Sequence, residues 1–304
     1  MVSNTIPQSD DPRARALARI RAATSAWGHD TSLTAIRQGF ETLLCLDDDI
    51  PATGFNLAGV PAMAIGGDDN CLSPSVLFFH GGGFQVGSFR SHRGLMRDIA
   101  RASGVTVIGV EYRLAPEHRF PAAADDCRAA FESLVERGVA PRDIVLAGDS
   151  AGGHLALGLA LDLKDDGRPP AGLVLISPWL DLSLSGDSYV SRAPLDVFSQ
   201  PAQLRAMAKT YLGRNGQLTD PRIALLNRNL AGLPPLLIHA GDHDITLDDA
   251  RALADAATRA NVRHHLNIWP EMMHHFQMFS DLPESVESLL AIGAFVRACL
   301  TERS

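Results

Sequence analysis

The chain has 304 residues, 46% of them hydrophobic and 20% charged, with a formal net charge of −8. That length suits one large α/β domain. The acidic balance argues against nucleic acid or an anionic membrane as partner, and no run of about 18 apolar residues offers a membrane span. The stretch from Met1 to Asp11 lacks the basic and apolar regions of a secretory leader. Cys45, Cys71, Cys127 and Cys299 are too scattered for a zinc site or a disulfide framework, so a cytoplasmic protein with reduced thiols is expected.

Residues 1–40 read as helical, with 11–23 and 33–44 as the candidate helices. From about residue 58 strands and helices alternate. Strands are expected at 60–65, 75–79 and 105–110, then a helix at 121–137, a strand at 144–147 and a helix at 152–164. Further strands fall at 172–176, 236–240 and 263–269, with helices at 247–260 and 283–299. Strands that are apolar throughout and alternate with helices indicate a mostly parallel sheet covered on both faces. Residues 181–233 separate two core strands, far longer than the usual 2–6 residue connection, and such insertions commonly serve as lids or binding elements. The expectation is a single domain over 1–304, with a helical cap built from about 1–45 and about 181–220.

Three stretches carry chemistry. Gly148-Asp149-Ser150-Ala151-Gly152 is a G-x-S-x-G pentapeptide between a strand and a helix. That setting lifts a serine hydroxyl above a sheet on a sharp turn, and glycine is required two residues either side because strand and helix nearly touch. The bland alternative is a glycine-rich turn with a bystander serine; the flanking strand and helix argue against it.

His80-Gly81-Gly82-Gly83-Phe84 follows the apolar run Val76–Phe79. Acyl transfer creates an anionic oxygen, and losing one backbone donor aimed at it costs roughly 3–4 kcal/mol. Gly82 and Gly83 are assigned as donors, with the N–H of Ala151 as a third. A phosphate-binding turn fails on detail, since neither Gly-Lys-Ser/Thr nor G-x-G-x-x-G is present.

A serine nucleophile needs a histidine base, and on this topology the chain order is serine, acid, histidine. Of eleven histidines, His274 and His275 alone fall in a loop after the last strand and before the last helix. The acid belongs on the loop after strand 236–240, where Asp242, Asp244, Asp248 and Asp249 all stand; some of these are helix N-terminal charges. Spacing does not choose within either set.

Taken together, these motifs resemble the hormone-sensitive-lipase-like esterases, the bacterial family IV carboxylesterases of the α/β-hydrolase superfamily. The resemblance spans roughly residues 70–300. It also rests on Tyr112-Arg113-Leu114-Ala115-Pro116-Glu117, Ser177-Pro178-Trp179-Leu180-Asp181-Leu182 and Met272-Met273-His274-His275-Phe276. It implies an α/β-hydrolase fold and a Ser150, Asp244, His274 triad, with Asp248 as a supporting carboxylate and no cofactor or metal. Arg113 and Glu117 would brace loops, and His118 and His154 would be structural.

The chain departs from the pattern at His275, where the family usually has glycine, at Thr246, where it has leucine, and before Gly232, where a Ser-Pro pair is missing. The overall look is closest to the short-ester and small-lactone hydrolases of the family, such as the monoterpene lactone hydrolase-like members. The expected activity is serine-based cleavage of short carboxylic esters or small lactones through an acyl-enzyme. The alternatives are an amidase or deacetylase on the same triad, and a non-catalytic ligand receptor on the same fold; a long-chain lipase is disfavoured. The expected partner is a small ester or lactone, with a homodimer allowed and neither nucleic acid nor a membrane span foreseen.

Overall fold

The computed structural model describes residues 10–28, 30–45, 49–66, 72–214 and 216–301. Cys71 and residues 1–9 lie outside them, whereas Cys45, Cys127 and Cys299 stand as thiols. Helices α1 (Pro12–Thr24) and α2 (Leu33–Leu44) come first, followed by strands β1 (Thr53–Leu57), β2 (Val60–Ile65) and β3 (Ser75–Phe79). Then come α3 (Phe89–Ser103), β4 (Thr106–Val110), α4 (Ala122–Glu136), β5 (Ile144–Asp149), α5 (Ala151–Asp165) and β6 (Gly172–Ile176). The chain closes with α6 (Ser188–Ser191), α7 (Pro201–Leu212), β7 (Leu236–Gly241), α8 (Leu247–Arg259), β8 (His264–Trp269) and α9 (Pro283–Thr301).

The eight strands form one sheet in the order β1-β2-β4-β3-β5-β6-β7-β8. β1 and β2 are antiparallel, as are β2 and β4; every other pairing is parallel. Each residue of β3, β4, β5, β6 and β7 is buried. These strands carry apolar side chains on both faces because helices cover both. Successive side chains alternate faces. Leu77, Phe79, Leu146 and Leu175 therefore join one core with Phe131 of α4, Leu157 of α5 and Leu253 of α8. Val76, Phe78, Val145 and Val174 join the other with Ile99 of α3, Ile292 of α9 and Phe40 of α2.

Two elements were not expected. β1 is mostly exposed and pairs with β2 through a two-residue turn, Ala58-Gly59, with Leu57 opposite Val60. Both turn residues have positive φ (52° and 91°), the backbone that joins right-twisted strands tightly. α3 buries Phe89, His92, Leu95, Met96, Ile99, Ala100 and Ser103 along one stripe. Polar residues at core positions, and arginines between them, hide that periodicity. The helix is nonetheless well delimited: Ser88 caps its start through a reciprocal bond with Ser91, and Gly104 ends it with φ of 75°.

The fold thus gathers four loops at the carboxyl edge of the parallel strands: those after β3, β5, β7 and β8. These hold His80–Gly83, Ser150, Asp244 and His274, the edge where α/β sheets place ligands.

Candidate active site

Ser150 is the single residue between β5 and α5. Its backbone sits at φ 51°, ψ −118°, a sparsely populated conformation of the kind held at functional sites. Its N–H donates to Ile176 O at 2.9 Å, and its carbonyl accepts from Trp179 and His154 at 3.1 and 3.2 Å, so both neighbouring elements pin it. A Cβ at Gly152 would collide with the carbonyl oxygen of Phe79, and one at Gly148 with the backbone of Gly152. The glycines of the pentapeptide are required for the steric reason given by the sequence.

The loop after β3 turns with φ of 115° at Gly82 and 59° at Gly83. A side chain at Gly82 would strike Val86 O, and one at Gly83 the sulfur of Met207. Gly82, Gly83, Ser150 and His274 line one small cavity, of about 30 Å³, together with Phe198 and Met207. Ala151 begins α5, so its N–H has no partner within the helix. This cavity shares Trp27, Ile36, Val86, Phe198, Gln203 and Met207 with an outer one of about 830 Å³, bounded by α1, α2 and α7.

The two adjacent histidines face different carboxylates. His274 Nδ1 lies 2.9 and 3.0 Å from the two oxygens of Asp244. His275 Nδ1 lies 2.9 Å from Asp149 Oδ2, and its backbone N–H donates to Ser177 Oγ. Asp244 is fully buried, and its Oδ1 also accepts from the N–H and hydroxyl of Thr246, the residue standing where the family has leucine. Asp248, expected as a supporting carboxylate, instead accepts from Ser188 N–H and pairs with Arg251, joining α6 to α8.

Electrostatics favour a charged pair. Burial works against a protonated His274, but Asp244, then Asp196 and Asp149, outweigh it and raise its pKa to about 9. Burial likewise opposes ionisation of Asp244, yet His274 and the Thr246 N–H hold its carboxyl below the usual range.

Two groups in the site escaped sequence reasoning. Asp196 accepts N–H bonds from Phe198 and Ser199 on one oxygen and from Ile245 on the other. Burial and then the charge of Asp244 push its pKa up to about 6. Asp149, the second residue of the pentapeptide, is fully buried beneath the serine. It accepts from Gly81 N–H at 2.8 Å and contacts the rings of His92 and His275. Burial disfavours its charge, but His92 and His275 keep it strongly ionised. The only available signal was its place next to the serine.

The bracing residues behave as expected. Arg113 pairs with Asp126 through two nitrogens. Glu117 holds Arg37 of α2 in a two-point pair, and Arg37 Nε also donates to Gln85 O, tying α2 to the glycine loop. His154 donates to Ile223 O, and burial lowers its pKa to about 4.

A family model described as alpha/beta hydrolase fold matches residues 76–278, and the chain belongs to that family. It is 41% identical over 233 residues to an acetyl-hydrolase of Streptomyces hygroscopicus, covering 75% of this chain and 77% of that protein. It is 39% identical over 222 residues to an esterase of Acinetobacter venetianus, covering 72% and 73% respectively. Among solved structures, an esterase from the bacterial hormone-sensitive lipase family superposes with a TM-score of 0.88 at 38% identity, over 96% of this chain and all of that one. Within the α/β hydrolases, then, this is a carboxylic ester hydrolase of the hormone-sensitive-lipase-like group. No described helix is long and apolar enough to cross a membrane.

Proposed function

We propose that the protein cleaves short-chain carboxylic esters or small lactones through a Ser150, His274, Asp244 triad and an acyl-enzyme. The observation that carries this reading is the pairing of His274 with Asp244 at 2.9 Å, with His274 lining the same cavity as Ser150, Gly82 and Gly83. Ser150 Oγ attacks the carbonyl carbon while His274 Nε2 takes its proton. Asp244 keeps the proton of the imidazole on Nδ1 and stabilises the imidazolium. The N–H groups of Gly82, Gly83 and Ala151 hold the oxyanion. His274 then returns the proton to the leaving alcohol, and water activated by the same histidine releases the acid.

The small volume beside Ser150 supports a short acyl group, and the larger outer cavity suits the leaving alcohol. Helices α1, α2 and α7 bound that outer space, which supports a cap formed from about 1–45 and about 181–220 on a single domain. The name of the Streptomyces relative, acetyl-hydrolase, agrees with a small acyl group.

A fluorophosphonate probe tests the nucleophile: one covalent adduct on Ser150, absent in Ser150→Ala, is expected. An unlabelled wild-type chain, or a labelled Ser150→Ala chain, overturns the proposal.

A further inference from the structure

His275 is a buried imidazole that the triad does not use. It is 1% exposed, and it forms part of the wall of the cavity lined by Ser150, Gly82, Gly83 and His274. One edge of the ring is committed: Nδ1 sits 2.9 Å from Asp149 Oδ2. Asp149 already accepts from Gly81 N–H and contacts the His92 ring, so it is a carboxylate with no proton to give. The proton in the His275–Asp149 bond therefore belongs to Nδ1. On a neutral ring this leaves Nε2 as a lone-pair acceptor. Nε2 is buried and has no hydrogen-bond partner.

A buried acceptor without a donor is costly, and the His275 ring is part of the cavity wall, so a donor that a ligand brings to that wall would satisfy it. The ring cannot swing to find another partner. Its backbone N–H is held by Ser177 Oγ, the Phe198 ring meets it edge-on at 4.3 Å, and His274 lies 4.6 Å away. Burial, with the neighbouring His274, lowers its pKa to about 4, in keeping with a neutral ring.

We propose that His275 Nε2 is a specificity-determining acceptor that selects substrates carrying a hydroxyl or amide N–H close to the scissile ester. This rests on the ester-hydrolase reading above and narrows it: the preferred substrate class is a hydroxylated or amide-bearing short ester, not a plain aliphatic one. The donor could belong to the acyl or to the alcohol half, and the test separates the two.

The experiment measures kcat/KM for matched pairs that differ by one hydroxyl. p-Nitrophenyl 3-hydroxybutyrate against p-nitrophenyl butyrate probes the acyl side, and 2-hydroxyethyl acetate against propyl acetate the alcohol side. Each ratio is compared between wild type, His275→Gly and His275→Asn, which cancels the intrinsic reactivity of the esters. Both replacements suit the left-handed backbone at φ 38°. In one of the two pairs the wild-type ratio is expected to exceed that of both variants by about tenfold, and the side on which this occurs identifies the half that carries the donor. Ratios equal in wild type and variants for both pairs overturn the proposal. Because it compares ratios, the outcome is not moved by a variant that is merely less active. Wild-type turnover of the plain butyrate keeps the ester-hydrolase reading standing whichever way the ratios fall, and its absence counts against that reading.

Discussion

Asp196 and Asp244 are linked through a single peptide: Asp196 Oδ2 accepts the N–H of Ile245, the residue after Asp244, at 3.0 Å. A carboxylate from the long β6–β7 connection is thereby locked to the acid loop, and two negative groups surround His274. Both raise its pKa, which stands at about 9 despite burial. A general base must be neutral to act. The acid limb of kcat/KM is therefore expected well above the 6.5 of an ordinary histidine, toward pH 9. Asp196→Asn removes one negative charge and should move the limb to lower pH, with Ser150 labelling retained. A limb at or below 6.5 in wild type, or an unchanged limb in the variant, refutes the assignment.

The same shift has a stability consequence. A histidine whose folded pKa lies above its unfolded value binds an extra proton in the native state. Its contribution is full below about pH 6.5 and is lost as pH rises through about 9. Thermal melts should show Tm falling across that window. His274→Gln, which cannot titrate, should flatten this part of the curve; a variant that parallels wild type would show that other groups set the slope.

Turnover should separate the two adjacent histidines and the acid. Ser150→Ala and His274→Ala are each expected to lower kcat by about a million-fold, and Asp244→Asn by about ten-thousand-fold. Steady-state hydrolysis of p-nitrophenyl butyrate is the measurement. If His275→Ala proves as damaging as His274→Ala, the division of labour drawn from their carboxylate partners is wrong.

What the sequence made legible follows from local constraint. The elbow at Ser150 is a strand, one residue and a helix, and its glycines answer to contacts within a few residues or with the adjacent strand. β3, β5 and β6 are buried on both faces, so their composition alone marks them. α3 was missed because its buried stripe includes Ser91, His92 and Ser103, interleaved with arginines. The choice between His274 and His275 could not be read locally, since the two rings differ in which distant carboxylate they meet. Asp196 approaches Asp244 through space from the β6–β7 connection, and nothing in its neighbouring residues announces that contact.

The elbow's sterics give a stability prediction. A methyl at Gly152 would overlap the carbonyl oxygens of Phe79 and His80, which are backbone atoms and cannot rotate away. Gly152→Ala should cost at least about 3 kcal/mol, the upper range for overpacking a core. Gly94→Ala serves as control, because its added methyl meets nothing within 4 Å. Denaturant midpoints for the two should differ clearly; equal midpoints would mean that strand and helix can separate without penalty.

The acyl pocket gives the last prediction. Met207 of α7 belongs to the walls of both cavities, and its sulfur faces the space above Gly83. About 30 Å³ is open beside Ser150, and Met207 lines both that space and the neighbouring one of roughly 830 Å³. Methionine is unbranched and packs by adapting, so shortening it opens room without removing a hydrogen bond. Met207→Ala should merge the two volumes and let longer acyl chains reach Ser150. Across p-nitrophenyl acetate, butyrate, hexanoate and octanoate, the kcat/KM optimum should move toward the longer esters. Each newly accommodated methylene is worth about 0.8 kcal/mol of burial, or roughly fourfold in kcat/KM. Gly82 and Gly83 are unaltered in this variant, so activity on acetate should fall far less than in a triad variant. An optimum that stays at the same chain length would show that another lining residue such as Phe198 sets the acyl limit instead.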